Sequence, residues 1–130
     1  MNEAAVQQRA QLEHCRNVPG GQMWRNNSGA CEDKTGRLIR YGLGHTSSEQ
    51  VRAWASSDLI GITPTLIKPE MVGYWLGVFT AYEVKPPQWH LTPGDQRGQA
   101  QDKFHQIVRQ SCGYAGFVTD PSDIYGIIRL

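Results

Sequence analysis

Four residues have the types and spacing needed to bind a divalent cation beside a phosphate. Glu83, Val84 and Lys85 follow one another at the end of an apolar run, and Asp58 opens an earlier one. Successive side chains of a strand point to opposite faces, so Glu83 and Lys85 share a side and Val84 faces away. If Asp58 lies on the neighbouring strand with the same orientation, two carboxylates and one ammonium group converge.

This set suits hydrolysis of a phosphodiester. Mg²⁺ binds a few carboxylate oxygens and keeps several waters, which leaves positions for a phosphate and an attacking water. The metal lowers the pKa of bound water, while a lysine orients the nucleophile or offsets developing charge. The alternative is that Glu83 and Lys85 form a solvated ion pair worth under about 1 kcal/mol. The apolar strand before Glu83 favours the functional interpretation, because a buried acid needs a partner.

The first half of the chain predicts a helix followed by a hairpin. Asn2 can cap a helix over residues 3–16. Residues 22–30 and 37–41 have the composition of short strands, and a turn around residues 33–36 joins them. One or two helical turns over residues 48–55 and a strand over residues 58–62 follow.

The second half predicts the strand that carries the triplet and a long helix behind it. Residues 76–85 are rich in β-branched and aromatic side chains, so we expect a central strand. A helix is predicted to begin at Thr92-Pro93 and to end at Gly113. Its apolar stripe consists of Ala100, Phe104, Ile107 and Val108. A strand over residues 114–119 and a helical turn over residues 121–128 complete the chain.

These elements define an α/β fold in which a mixed sheet is flanked by helices, in the order αβββαβ. A chain of 130 residues is expected to form a single domain. No apolar run approaches the roughly 20 residues of a membrane span, and the N-terminus lacks a signal-peptide pattern. We therefore expect a cytoplasmic protein. The three single cysteines indicate reduced thiols rather than a zinc or disulfide framework.

The net charge of +1 does not by itself indicate a nucleic-acid partner, but its distribution is informative. Residues 21–52 hold five basic side chains against three acidic ones, and residues 85–109 hold four against two. Residues 53–84 between them carry three acids and only Lys68 as a base. An acidic centre between basic segments suits a metal site that cleaves a phosphate backbone, although an ordinary mixed surface also explains the count.

Several motifs in order resemble the virus-type replication-repair nuclease (VRR-NUC) domain. They are residues 24–29 (WRNNSG), 36–42 (GRLIRYG), 56–61 (SSDLIG), 83–85 (EVK), the Gln-rich helix and residues 113–116 (GYAG). The resemblance covers nearly the whole chain. It implies a restriction-endonuclease-like core of the PD-(D/E)XK superfamily. Ser57 stands where the superfamily motif has proline, a departure that this family tolerates.

The resemblance implies a role for each matching residue. Asp58, Glu83 and the backbone carbonyl of Val84 would bind Mg²⁺ or Mn²⁺, and Lys85 would help to activate the hydrolytic water. Glu3 looks like the acid that the superfamily often carries on its first helix, although it also complements the helix dipole. Gln101 is similar to the glutamine that supports the site from the second helix, with Gln96 and Gln99 as rivals for that place.

Other residues are candidates for contact with DNA. Arg25, Arg37 and Arg40 lie on or near the predicted hairpin and could hold phosphates, or could be ordinary surface charges. Gly42 and Gly44 would let a loop approach a backbone, or form a simple turn. Trp89 and His90 either stack at a DNA junction or pack in the fold. His45, His90 and His105 could act as bases, and the sequence singles out none of them.

This chain resembles the stand-alone members of the family, which look like homodimers that cut branched DNA such as Holliday junctions. Such members are frequent in phage and bacterial genomes. One metal site per chain requires a symmetric pair to cut two strands in concert. The resemblance therefore implies a structure-selective endonuclease. Two alternatives remain: an inactive DNA-binding module of the same fold, and an interaction protein whose acids form accidental ion pairs.

Overall fold

The computed structural model describes residues 2–129 and divides the chain into two compact units. One comprises Met1–Val18 and Gln22–Gly61, and the other comprises Pro19–Gly21 and Ile62–Leu130. The described residues form four α-helices and six strands mixed along the chain, which confirms the α/β class. The strands pair as three two-stranded sheets within residues 2–129, whereas we predicted one mixed sheet. None of the helices in this range has the length and apolar character needed to cross a bilayer.

The first unit begins with helix α1 (Glu3–Asn17), close to its predicted bounds. The side-chain oxygen of Asn2 accepts the Ala5 N–H at 2.9 Å, as expected of an N-cap. The Gln11 amide donates to the Met23 carbonyl at 3.1 Å. This bond ties α1 to strand β1 (Gln22–Arg25), which pairs with β4 (Leu59–Ile62).

The predicted hairpin is confirmed as strands β2 (Gly29–Glu32) and β3 (Leu38–Tyr41), which pair antiparallel. The Asp33 carboxylate organises its turn by accepting the Thr35 hydroxyl and the backbone N–H groups of Thr35 and Arg37, at 2.7–2.9 Å. These hydrogen bonds, led by that of the Thr35 side chain, lower the pKa of Asp33.

The predicted continuous strand over residues 22–30 is wrong, because Asn26 separates β1 from β2. The Asn26 N–H donates to the Asp58 carbonyl at 2.8 Å. Its side-chain amide donates to the Ser56 hydroxyl and the Ser57 carbonyl, both at 2.9 Å. A short helix α2 (Ser48–Ala53), capped by the Ser47 side chain, lies between the hairpin and β4.

The second unit is built on strand β5 (Thr80–Val84), helix α3 (Gln96–Gln110) and strand β6 (Tyr114–Val118), with β5 and β6 parallel. The predicted helix start at Thr92 is wrong: the Asp95 side chain accepts the Gly98 N–H at 2.9 Å and is the N-cap. Strand β5 is also shorter than the strand predicted over residues 76–85. Its pairing begins where the Tyr114 N–H donates to the Phe79 carbonyl, and β6 has no earlier residue to pair with.

The buried face of α3 differs from the predicted apolar stripe. Val108 is fully buried, but Phe104 and Ile107 are 37% and 40% exposed. The buried helix positions are Gly98, His105 and Val108. The His105 ring packs edge-on against Phe117 of β6, with ring centroids 4.7 Å apart. The buried face of α3 is therefore rotated by one residue from the predicted stripe.

The chain ends in a 3₁₀ turn (Pro121–Asp123) followed by the short helix α4 (Ile124–Ile127), which confirms the predicted helical turn. A reciprocal capping box joins Asp120 and Asp123 at the start of the 3₁₀ turn. The Asp123 carboxylate also accepts the Thr119 N–H at 2.9 Å. These bonds fix the exit of the chain from β6.

Gly42 is expected to be the least replaceable glycine of the hairpin. Its φ is +89°, and a Cβ there would collide with the backbone of Ser28 and the Asn27 carbonyl. Gly36 has a similar φ of +82° but no atom within 4 Å of such a Cβ, so it is a matched control. Gly36→Ala should lose about 1–2 kcal/mol of unfolding free energy from backbone strain alone. Gly42→Ala should lose clearly more in urea denaturation, and equal losses would contradict the steric account.

Candidate functional site

Glu83 and Lys85 project from the same face of β5, as the alternation of a strand predicts. The Lys85 ammonium lies 3.7 Å from Oε1 of Glu83. Their side chains are 36% and 15% exposed respectively, while Val84 on the other face is 73% exposed. The triplet thus presents one carboxylate and one largely covered lysine to a common space.

Lys85 is held by more than its ion pair. Its Nζ atom lies 5.2 Å from the centre of the Trp89 ring, within reach of a cation–π interaction. Trp89 packs in turn on Phe117, with centroids 4.7 Å apart. Of the two roles considered for Trp89, packing is therefore the one that the structure supports.

The backbone of the triplet leaves the Val84 carbonyl on the edge of β5 that β6 does not occupy. The Lys85 N–H donates to the Val118 carbonyl at 2.9 Å, and the Phe79 carbonyl accepts from Tyr114. Since backbone groups of successive strand residues point to opposite edges, Phe79, Ala81, Glu83 and Lys85 bond to β6. Val84 points the other way, and within residues 2–129 no further strand is paired to β5.

A cavity of about 340 Å³ lies between Glu83 and helix α3. Its lining consists of Glu83, Arg97, Ala100, Gln101, Phe104 and His105. Of the three candidate glutamines, Gln101 is the one that faces this space. Gln99 instead donates to the Thr92 carbonyl at 2.9 Å, and Gln96 is exposed at the start of the helix.

Two residues that line this cavity each carry a polar atom that is buried without a partner in the described part of the chain. These atoms are Oε1 of Gln101 and Nδ1 of His105. His105 is only 2% exposed. Its pKa is lowered, first because burial removes hydration and then because of the Arg109 cation, against the opposing effects of Asp102 and Glu83.

The remaining predicted acids lie in the first unit. Asp58 is exposed and immediately precedes β4, where its carbonyl accepts from Asn26. Glu3 is exposed in the first turn of α1. Asp58 and Glu3 thus belong to one unit, and Glu83, Lys85 and Gln101 to the other. The convergence of Asp58 with Glu83 therefore stays a prediction.

The candidate DNA-contacting arginines also lie in the first unit. Arg25 is exposed at the end of β1 and lines a cavity of about 320 Å³ with Ala4, Gln7, Gln8 and Gln11 of α1. Arg37 is exposed beside the Asp33 turn, and Arg40 is partly covered on β3. The backbone that Gly42 approaches is the chain's own, at Asn27 and Ser28, while Gly44 has φ +72° and faces Trp54.

The donor set of the second unit suits a hard cation. Within residues 2–129, no three His, Cys, Asp or Glu side chains form a cluster that would hold a metal ion. Glu83 and the Val84 carbonyl nevertheless offer oxygen donors, the ligand type that Mg²⁺ and Mn²⁺ prefer. The orphaned Gln101 oxygen fits the same interpretation, since it can accept a hydrogen bond from a metal-bound water.

Sequence reasoning missed Arg97 and did not single out His105. Both line the cavity beside Glu83. The available signal was their spacing, because Arg97, Gln101 and His105 recur every four residues and so share one stripe of a helix. All three cysteines are free and exposed.

Comparison of the chain with protein-family models, with curated proteins and with solved structures found no match in any of the three.

His105 is expected to make stability depend on pH. Its folded-state pKa lies below the ordinary value near 6.5, so the native fold favours the neutral ring. The stability that the neutral His105 ring contributes to the fold is fully present above about pH 6.5. It is lost as the pH falls toward the folded-state pKa, because the unfolded chain takes up the proton first. The urea midpoint of the wild type should therefore fall between pH 7.5 and 5.0 by more than that of His105→Leu. Identical profiles for the two proteins would contradict the assignment.

Proposed function

We propose that this protein is a metal-dependent, structure-selective DNA endonuclease, a hydrolase that cuts phosphodiester bonds at branched DNA such as Holliday junctions. The observation that carries the proposal is the joint placement of Glu83, Lys85 and Gln101 in the second unit. Glu83 lies 3.7 Å from Lys85 on one strand and lines one cavity with Gln101 of α3. The VRR-NUC motifs assign roles to these same residues and imply a restriction-endonuclease-like core.

The chain's own residues divide the chemical work. Glu83, the Val84 carbonyl and Asp58 would hold Mg²⁺ or Mn²⁺, and Gln101 would orient water through its side-chain oxygen. Lys85 would position the nucleophilic water and offset charge on the phosphate. Its partial burial would strengthen the attraction between its ammonium group and the phosphate. The bound metal supplies a water of lowered pKa and stabilises charge on phosphorus. Glu3 is a further candidate acid for the same site.

The proposed substrate and assembly follow from the resemblance to stand-alone VRR-NUC domains. One chain supplies one such site, so paired cuts across a four-way junction require a homodimer. Arg25, Arg37 and Arg40 would hold phosphates, which favours recognition of shape over base sequence. We infer that the protein acts in the cytoplasm on bacterial or phage DNA.

A catalytically inactive DNA-binding module is the alternative. It would retain the arginines and bind branched DNA without metal-dependent cutting. The Gln101 oxygen, buried without a partner on a residue that lines the cavity beside Glu83, favours the enzyme, because such an oxygen can accept a hydrogen bond from a metal-bound water. The third interpretation, an interaction protein with accidental ion pairs, leaves the Gln101 oxygen unexplained.

Lys85→Ala should reduce cleavage by at least about 100-fold, the usual cost of removing a charged group that stabilises the transition state. The assay uses labelled four-way junction, flap, splayed-arm and linear duplex DNA with Mg²⁺, Mn²⁺ or chelator. Lys68→Ala removes the same charge from an exposed position of the same unit and is the control. The absence of metal-dependent cutting by the wild type on every substrate would instead support the binding module.

Asp58→Asn tests whether the acid of the first unit belongs to the same reaction. Asp58 is exposed, and its fold contact uses the backbone carbonyl, so the variant should keep its stability. We expect cleavage to be abolished and junction binding to remain measurable by fluorescence anisotropy. Cutting at the wild-type rate would remove Asp58 from the site.

A further inference from the structure

We propose that Arg97 is a phosphate-binding residue of the cavity between Glu83 and α3. This inference rests on the proposed nuclease function and adds a residue that the motifs do not assign. The cavity, of about 340 Å³, is at the lower end of the usual range of ligand cavities. The cavity would receive one phosphate of the DNA strand, next to the Glu83 carboxylate that is proposed to bind the metal.

The position of Arg97 on α3 is the first argument. Arg97, Gln101 and His105 lie at i, i+4 and i+8, so their side chains form one stripe along the helix. At 1.5 Å per residue, the stripe extends for roughly 12 Å. Glu83 lies at the same cavity, which places the guanidinium group and the carboxylate around a common space.

The availability of Arg97 is the second argument. Among residues 2–129, Arg97 makes no ion pair and its side chain donates no hydrogen bond. The other arginine of α3 is committed, because Arg109 donates to the Ala115 carbonyl at 2.9 Å and lies 4.0 Å from Asp102. Glu83 has Lys85 as its basic partner at 3.7 Å. Arg97 is therefore a basic side chain with its donors available at the cavity.

The chemistry of the remaining wall is the third argument. His105 presents a buried nitrogen without a partner and Gln101 an orphaned oxygen. A planar guanidinium can bind a phosphate through two parallel N–H donors.

The test compares Arg97→Ala with Lys103→Ala and Arg97→Lys. Lys103 is exposed on the same helix and does not line the cavity, so its loss removes the same charge from another face. Binding of a labelled four-way junction is measured with chelator present, at salt concentrations from about 50 to about 200 mM. Cleavage kinetics with Mg²⁺ follow on the same proteins, after circular dichroism has shown that each is folded.

Loss of one phosphate contact should reduce the slope of log K against log salt by about 0.7–0.9 in Arg97→Ala. The KM should rise more than kcat falls, and Arg97→Lys should recover part of the loss. Lys103→Ala should change the slope less. If Arg97→Ala and Lys103→Ala bind and cut alike while the wild type cuts, the role of Arg97 is overturned and the nuclease stands. If the wild type neither binds nor cuts, both proposals fail.

Discussion

The parallel pairing of β5 with β6 is the interaction on which the second unit and its cavity depend. Parallel strands cannot be joined by a tight turn, so the intervening chain must cross over, and α3 supplies that crossover. The register fixes Glu83 opposite Phe117 and places the Lys85 N–H on the Val118 carbonyl. The orientation of the whole triplet follows from this register, because a shift of one residue would turn Glu83 and Lys85 to the other face.

Close packing keeps α3 against these strands. Val108 is fully buried, and a Cβ on Gly113 would lie 2.8 Å from its Cγ1 atom and 3.0 Å from the Phe79 carbonyl. The chain reverses just before Gly113 at Cys112, which adopts a φ of +69°. This tight return brings β6 alongside β5 within a few residues of the helix end. The cavity wall formed by α3 is consequently fixed by this packing together with the hydrogen bond from Arg109 to the Ala115 carbonyl.

The environment of Lys85 combines two interactions that are each modest. The ion pair with Glu83 at 3.7 Å is long, and the contact with the Trp89 ring is at 5.2 Å. The Lys85 side chain is only 15% exposed, and this burial lowers the local dielectric, so each interaction is stronger than it would be in water. A lysine held in this way is restricted in position while its ammonium group stays at the site. The proposed role of Lys85, positioning a nucleophilic water, would use this restriction.

The sequence by itself determined the local elements whose signals lie within a few residues. Asn2 capped α1, the Asp33 turn made the hairpin, and strand alternation placed Glu83 and Lys85 on one face of β5. Each depends on hydrogen bonds or geometry between near neighbours, which composition and spacing encode directly.

Only the tertiary structure decided which strands pair and which face of α3 is buried. Residues 22–30 divide between two sheets because Asn26 bonds to Ser56, Ser57 and Asp58, some thirty positions away. His105 rather than Phe104 turns inward because Phe117 offers its ring at the facing position of β6. The same rotation brings Arg97 and Gln101 to the cavity of Glu83. These outcomes depend on contacts between distant segments, and no local pattern in the chain specifies them.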